Sequence, residues 1–496
     1  MKHILALDQG TTSSRSIVYD ENLTPLASAQ KEFTQHFPKP GLVEHDAMEI
    51  WNSVVETARE AVEKSGIDPK SLAAIGITNQ RETIVVWDRK TGQPVHRAIV
   101  WQDRRTSDHM SALRDAGREP FLQSRTGLLP DPYFSASKLH WILREIPNGH
   151  ARAASGELAA GTIDSWLIFR LTGGASHVTD VSNASRTMLM NIHSGAWDAE
   201  LLALFSIPEA ILPRIVPSSG HLGVSTSDFL GTQTPVCGAI GDQQSALFGQ
   251  LCDKPGLVKC TYGTGCFLLA FTGPDAVAST NRLLTTVAWK IGDAPLQYAI
   301  EGSVFMGGAS IQWLRDGLGI IRNAPEVNTL ASRVPDSGGV VLVPAFTGLG
   351  APYWDAEARG TLLGMTRGTT AAHIARATLD GIAFQVADLV DAMRKDSGEK
   401  ISSLRVDGGA CASDLLMQIQ ADILGTSVER PSNIESTALG AAMMAGLGAG
   451  VWPDLEAISR IRNIEHRFEP EIGTAERKTR IKIWKRAVKR ARHWIS

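Results

Sequence analysis

The chain has no pair of cysteines in C-x-x-C spacing; its five cysteines, Cys237, Cys252, Cys260, Cys266 and Cys411, are scattered and odd in number. That excludes a zinc ribbon and gives no support to a disulfide framework, so a reducing cytoplasm is the expected setting. No uncharged apolar run approaches the ~18 residues that a membrane-spanning helix needs. The short apolar run after Met1-Lys2-His3 lacks the core of a signal peptide, and membrane insertion is not expected. Charge of one sign is also missing: 49 Lys plus Arg against 52 Asp plus Glu leave a net of −3, which gives no global reason to expect nucleic acid as a partner. There is no G-x-x-x-x-G-K-[ST], which excludes a P-loop. At 496 residues the chain is too long for one core, and two large domains are the natural division.

What is present is a pair of similar turns. Ile4-Leu5-Ala6-Leu7 leads into Asp8-Gln9-Gly10-Thr11-Thr12-Ser13-Ser14-Arg15. About 250 residues later, Gly256 to Cys260 lead into Thr261-Tyr262-Gly263-Thr264-Gly265 and the apolar run Cys266 to Ala270. Each reads as strand, tight polar turn, strand. Glycine permits close backbone approach, while hydroxyls and turn N–H groups are donors suited to phosphate oxygens. Taken alone, each is equally an ordinary polar hairpin turn; together, one per half, they describe jaws for a nucleotide.

The surrounding pattern repeats as well. In the first third, short strands over 16–23 and 26–30 precede a helix that starts near Asp46, with Ile50, Trp51, Val54, Val55, Ala58 and Val62 at helical spacing, and then a buried strand from Leu72 to Thr78. In the second half, strands flank the second turn, and helices are expected near 310–315, over 371–393 and over 413–424, with a strand at Leu404-Arg405-Val406-Asp407. Two halves with one element order predict a duplicated α/β domain with a cleft between, divided near 245–255 into 1–250 and 251–496. Gly446-Leu447-Gly448-Ala449-Gly450 resembles a dinucleotide fingerprint but follows an Ala/Met helix, and reads as a helix end. Arg477 to Arg492 carries nine Lys or Arg and no acid, a basic amphipathic helix whose ordinary role is a solvated face on a docked terminal helix.

Three polar clusters follow strands or lie beside them. Asn79-Gln80-Arg81-Glu82-Thr83 sits at a strand's carboxyl end, where open α/β sheets place ligands. Arg81 offers fixed donors and Glu82 an acceptor, a pair suited to adjacent hydroxyls, although both reach one ligand only if the backbone turns there. The plainer reading is a surface ion pair. Trp101-Gln102-Asp103-Arg104 offers an aromatic face for a carbon chain, or an ion-pair network. Asp242, just past Val236 to Ile240, is either a helix N-cap or a carboxylate able to take a proton from an attacking hydroxyl while Asp8 helps hold a metal.

Those segments, with Tyr133-Phe134-Ser135-Ala136-Ser137-Lys138-Leu139-His140-Trp141, Gly241-Asp242-Gln243-Gln244, Thr261 to Phe267 and Asp407-Gly408-Gly409-Ala410, resemble in order the FGGY carbohydrate kinase family, and its glycerol-phosphorylating branch in particular. The resemblance implies two RNase H-like domains of the actin-like ATPase type, closing over ATP and a small substrate, and an assembly of two or four identical chains. It implies that Asp8 helps hold Mg²⁺, that Thr11, Thr12, Ser13, Arg15 and Thr264 meet the ATP phosphates, and that Gly308, Gln312, Gly409, Ala410 and Ser413 line the adenosine pocket. Arg81, Glu82, Tyr133, Asp242 and Gln243 would bind glycerol, with Trp101 and Phe267 against its carbons and Asp242 also the general base. Ser413 stands where the family often has Asn. The stretch 220–234, which in some bacterial relatives carries an Arg for a regulatory sugar bisphosphate, has none here, so weak or absent regulation of that kind is expected. The same fold also serves kinases of ketoses and sugar acids, and more remotely nucleotide switches that bind a protein partner.

Overall fold

The computed structural model describes residues 2–461 and 464–495. Two mixed sheets organise it. In the first, β1 (His3–Gln9) pairs antiparallel with β2 (Ser13–Tyr19), which pairs with β3 (Pro25–Glu32). On the other side of β1 lie β4 (Leu72–Asn79), parallel, then β6 (Pro235–Gly241), parallel, and β5 (Ser219–Val224) at the edge. The second sheet repeats this plan. β7 (Leu257–Tyr262) pairs antiparallel with β8 (Cys266–Gly273), which pairs with β10 (Gln297–Val304) and, beyond it, β9 (Leu284–Trp289). β11 (Ser403–Asp407) and β12 (Ser427–Pro431) continue parallel from β7, and β13 (Ile464–Phe468) closes the edge. The expected duplication is therefore present around β1 and β7, with β9 as an additional edge strand in the second sheet.

Helix α1 (Ala47–Ser65) starts where expected, because the Asp46 carboxylate accepts the N–H groups of Met48 and Glu49. Its buried stripe, Ile50, Val54, Ala58 and Val62, packs into the first core. The sequence pattern did not show a further sheet of four short strands, Glu44–His45, Ala98–Ile99, Ile84–Asp88 and Leu158–Thr162. Next to it lies α2 (Ser135–Glu145), over a separate apolar cluster that includes Leu139, Ile142 and Leu143.

Helix α3 (Asp242–Gly249) follows β6 directly, and α4 (Gly308–Asp316) follows β10. The long α5 runs Ala371–Ser397, four residues past its apolar pattern, because Asp391 pairs with Arg394 and Lys395 on its last turns. α6 (Asp414–Leu424) is capped by Ser413. α7 (Ser436–Gly448) ends in the glycine run, as its composition indicated. Although it comes late in the chain, α7 lies on the first sheet, burying Ala438, Ala441 and Ala442 with Ile4, Ala6 and Ile240. Gly440 makes that approach possible, since a Cβ there would stand 1.9 Å from the Ser245 carbonyl oxygen of α3. α8 (Thr474–Ala491) docks through Trp484, Ala487 and Val488 and keeps most of its basic side chains in solvent.

Candidate active site

The first turn is tight: the Gly10 N–H donates to the Ser13 carbonyl at 2.9 Å, and Asp8 lies opposite Arg15 in the hairpin register. The Ser13 hydroxyl accepts from Gln30 Nε2 at 2.9 Å, and Thr12 is exposed. Thr11 Oγ1 accepts the indole N–H of Trp101 at 2.9 Å, and Trp101 stands edge-on to Tyr133 with ring centroids 5.5 Å apart. The expected aromatic wall is thus tied to the expected phosphate turn. Arg15 reaches across to Glu435, at the start of α7, and its Nη2 donates to Gln30 Oε1 at 3.1 Å. Burial pushes the Asp8 carboxyl up to about 7, with Arg15 pulling down and Asp242 and Glu435 adding to the rise. A carboxylate so placed, next to other carboxylates, is short of positive charge.

Arg81 and Glu82 are buried, 2% and 1% exposed, so a surface ion pair is ruled out. The backbone does turn there: Glu82 has φ +60°, and the Thr83 N–H donates to the Arg81 carbonyl at 2.6 Å. The two side chains are not each other's chief partners, since Arg81 Nε stands 3.8 Å from Glu82. Arg81 instead forms a fork on Glu301, Nη1 to Oε2 at 2.5 Å and Nη2 to Oε1 at 3.0 Å. Arg186 Nε donates to Glu82 at 2.6 Å, and its Nη2 donates to Glu301 at 3.0 Å. The result is a box of two guanidiniums and two carboxylates closed from solvent. Burial pushes Glu301 up, but Arg186 and Arg81 outweigh it and hold the carboxyl down at about 2. Burial raises Glu82 despite Arg186 and Arg81.

Asp242 opens this box to the cleft. It is the first residue of α3 rather than its cap, and its side chain is 29% exposed. Its Oδ1 stands 3.2 Å from Arg81 Nε and accepts the Gln243 N–H at 2.7 Å. Burial raises its carboxyl, with Arg81 opposing. Gln243, expected on the substrate, turns its Oε1 to Lys259 Nζ at 2.7 Å, and Lys259 also donates to Thr261 Oγ1 at 2.9 Å.

The second turn seats on the start of α4. The Gly263 carbonyl accepts from Gly308 N–H at 2.8 Å, and the Thr264 carbonyl accepts from Gly307 and Ala309 at 2.9 and 3.0 Å. This places Thr264 beside Gly308, with Gln312 exposed one turn further along the same helix. Phe267 lies opposite Thr261 across the β7–β8 hairpin. The turn carrying Gly409 and Ala410 is adjacent, because Gly408, at φ +84°, lies so close that a Cβ would stand 2.7 Å from the Tyr262 carbonyl oxygen. Ser413 has its hydroxyl committed to the Leu416 N–H and to Asn328. Glu301, Arg186, Lys259, Gln244 and Glu435 were not found from the sequence. Lys259 and Glu301 sit mid-strand, and Arg186 and Glu435 at helix ends, with no local signature, and they reach the site through long-range pairing; Gln244, on α3 beside Asp242, enters it by accepting from Arg81 Nη1 at 3.1 Å.

Among the described residues no three His, Cys, Asp or Glu side chains could together hold a metal. Mg²⁺ needs no such cage, being held usually by one or two carboxylates plus substrate phosphates and water. The net negative surroundings of Asp8, where Asp242 and Glu435 outnumber Arg15, fit that mode.

Comparison with known proteins gives the same picture over the full length. The pattern describing the N-terminal domain of the FGGY family of carbohydrate kinases matches residues 3–249, and that of its C-terminal domain matches 258–449. A glycerol kinase of Trichlorobacter lovleyi is 59% identical, covering 100% of this chain and 99% of its own. A Thermotoga maritima protein named glycerol kinase 2 is 54% identical over 100% of this chain and 99% of its own. The crystal structure of Plasmodium falciparum glycerol kinase with ADP superposes with a TM-score of 0.94 at 38% identity, covering 99% of this chain and 98% of its own. A ligand-bound xylulose kinase from Lactobacillus acidophilus, 24% identical over 99% of this chain and 97% of its own, shares the fold with a TM-score of 0.89.

Proposed function

The chain belongs to the FGGY family of carbohydrate kinases, and we propose that it transfers the γ-phosphoryl group of ATP to a terminal hydroxyl of glycerol, giving sn-glycerol 3-phosphate and ADP, the first step of glycerol use. The identity of 54–59% to glycerol kinases over the whole length favours glycerol over a ketose or sugar acid. The ADP in the Plasmodium enzyme's structure supports ATP as the donor.

The observation that carries the reading is the position of Asp242. Its Oδ1 is held by Arg81 and the Gln243 N–H, which fixes the carboxylate and leaves Oδ2 to accept the proton of an attacking hydroxyl. Burial raises this carboxyl and so strengthens it as a proton acceptor, while Arg81 opposes the rise. Glu82 and Arg81, in the buried box that Asp242 opens to the cleft, are assigned to the other hydroxyls, and Trp101, Tyr133, Gln243 and Phe267 to the rest of the glycerol site. Because Trp101 bonds to Thr11, the glycerol wall and the first phosphate turn hold a fixed relation, and phosphoryl transfer depends chiefly on such positioning.

Thr11, Thr12, Ser13, Arg15 and Thr264 are assigned to the phosphates, and Gly308, Gln312, Gly409, Ala410 and Ser413 to the adenosine side. Asp8 would hold Mg²⁺, whose chemistry there is to neutralise charge on the transferring phosphate. The division into 1–250 and 251–496, a homodimer or homotetramer and a cytoplasmic location belong to the same reading. Five free, buried cysteines agree with the last.

The test is a panel assay of ADP release with glycerol, xylulose, ribulose and gluconate. Turnover with glycerol alone is expected. Preference for a ketose or gluconate would make the enzyme another sugar kinase of this fold, and ATP turnover that no polyol stimulates would point to a nucleotide switch.

A further inference from the structure

Behind the charged box lies a second polar cluster, fully buried and without a cation among its partners. Asp180 caps the short helix Val181–Ser185 and accepts five hydrogen bonds: the Ser182 N–H (2.9 Å), the Ser182 hydroxyl (2.9 Å), the Asn183 N–H (2.9 Å), Asn183 Nδ2 (2.8 Å) and the Ser218 hydroxyl (2.7 Å). Each of its two followers passes the restraint on. Ser182 Oγ accepts the Gly241 N–H at 2.9 Å, and Gly241 immediately precedes Asp242. Asn183 and Asn79 exchange amide hydrogen bonds of 2.9 and 3.1 Å, and Asn79 Nδ2 also donates to the Gln80 carbonyl at 2.8 Å, just before Arg81. Three residues past Asn183, on the same turn of chain, Arg186 joins the box.

We propose that Asp180 is a positioning residue for phosphoryl transfer, acting through Ser182 on the backbone that carries Asp242 and through Asn183 on the backbone that carries Arg81. The inference rests on the assignment of Asp242 as base and Arg81 as glycerol ligand. A plain structural cap would need only the backbone N–H groups of Ser182 and Asn183. Here the capped side chains are themselves spent on the two segments that frame the glycerol site, one on each. Asp180 orients both at once because the two side chains share Oδ1. Small displacements of a reacting group are costly, on the order of 10²-fold for about 1 Å.

The two arms give different kinetic signatures, which loss of stability alone does not. Ser182→Ala removes the acceptor of the Gly241 N–H, and it should lower kcat about tenfold or more while the glycerol KM stays within about twofold. Asn183→Ala frees the Arg81 segment, and it should chiefly raise the glycerol KM, about tenfold. Asp180→Asn should combine both changes, and the KM for ATP should move little in all three. Kinetics are measured on full-length enzyme, normalised to the folded fraction titrated by ADP binding, with Asp242→Asn run alongside. If Ser182→Ala and Asn183→Ala keep normal kcat and KM per folded molecule, or change both in the same proportion, the positioning role is overturned. A dead Asp242→Asn beside an unchanged Ser182→Ala overturns the positioning alone. A fully active Asp242→Asn overturns the base assignment and the Ser182 arm with it.

Discussion

Glu301, from the second half of the chain, grips Arg81, from the first, through a two-pronged pair of 2.5 and 3.0 Å that solvent does not reach. Both guanidiniums of the box depend on it, since Arg186 also donates to Glu301. Glu301→Gln leaves the two buried guanidiniums with Glu82 and the partly exposed Asp242 alone, and breaking a buried pair of this kind costs about 3–5 kcal/mol. Denaturant unfolding should show a loss of that size, and the glycerol KM should rise as Arg81 loses its anchor. Arg81→Ala should likewise raise the glycerol KM and spare the KM for ATP. An unchanged glycerol KM in both variants would move the polyol site elsewhere.

Arg15 is held by Glu435 in a partly exposed pair, with the two side chains 26% and 48% exposed. Phosphate must compete with that carboxylate for the guanidinium. Exposed pairs are worth roughly 0.2–1 kcal/mol, so Glu435→Gln should lower the KM for ATP by at most about fivefold. Arg15→Ala should raise it, and the effect of Glu435→Gln should vanish in the double variant. A Glu435→Gln enzyme with a raised KM for ATP would overturn this competition.

Lys138 is fully buried beneath Tyr133, whose carbonyl accepts its Nζ at 3.0 Å. Burial pushes the amine down to about 7, against the pull of Glu82, Asp103 and Asp131. The unfolded chain keeps an ordinary lysine, near pKa 10.4, so between about pH 7 and about pH 10 it binds more protons than the folded one. The contribution of Lys138 to stability therefore rises with pH across that window. Urea midpoints of wild type and Lys138→Met at about pH 7 and about pH 9 should differ in favour of wild type on going up. A difference that does not change with pH would mean the amine stays charged in the fold.

Residues 220–234 carry neither Arg nor Lys. Arg59, whose guanidinium comes near, donates to the carbonyls of Phe229 and Asp228 at 3.0 and 2.5 Å. Fructose 1,6-bisphosphate should leave the initial rate unchanged in a coupled assay. Clear inhibition at physiological concentration would show that another segment grips it.

The parts of this site that the sequence announced are those with local signatures. Both phosphate turns are glycine and hydroxyl runs between apolar strands, and Arg81, Glu82 and Asp242 follow strand ends directly. Glu301 was invisible because it sits mid-strand between Ile300 and Gly302, and only the register that sets Leu269 opposite it brings it to Arg81. Arg186 follows a helix of five residues, too short for any periodicity. The placement of α7 on the first sheet was also out of reach, since an Ala/Met/Gly helix is apolar on every side and does not say which sheet it will cover.

Asp242 takes the proton of glycerol, in this mechanism, as phosphoryl transfer proceeds. Asp242→Asn keeps the shape and can still meet Arg81 poorly, yet it removes the base, so the direct measurement is its kcat at saturating ATP and glycerol. A fall on the order of 10²–10⁴-fold, with the glycerol KM changed far less, is the predicted result. Near-normal turnover by that variant would show that another group takes the proton.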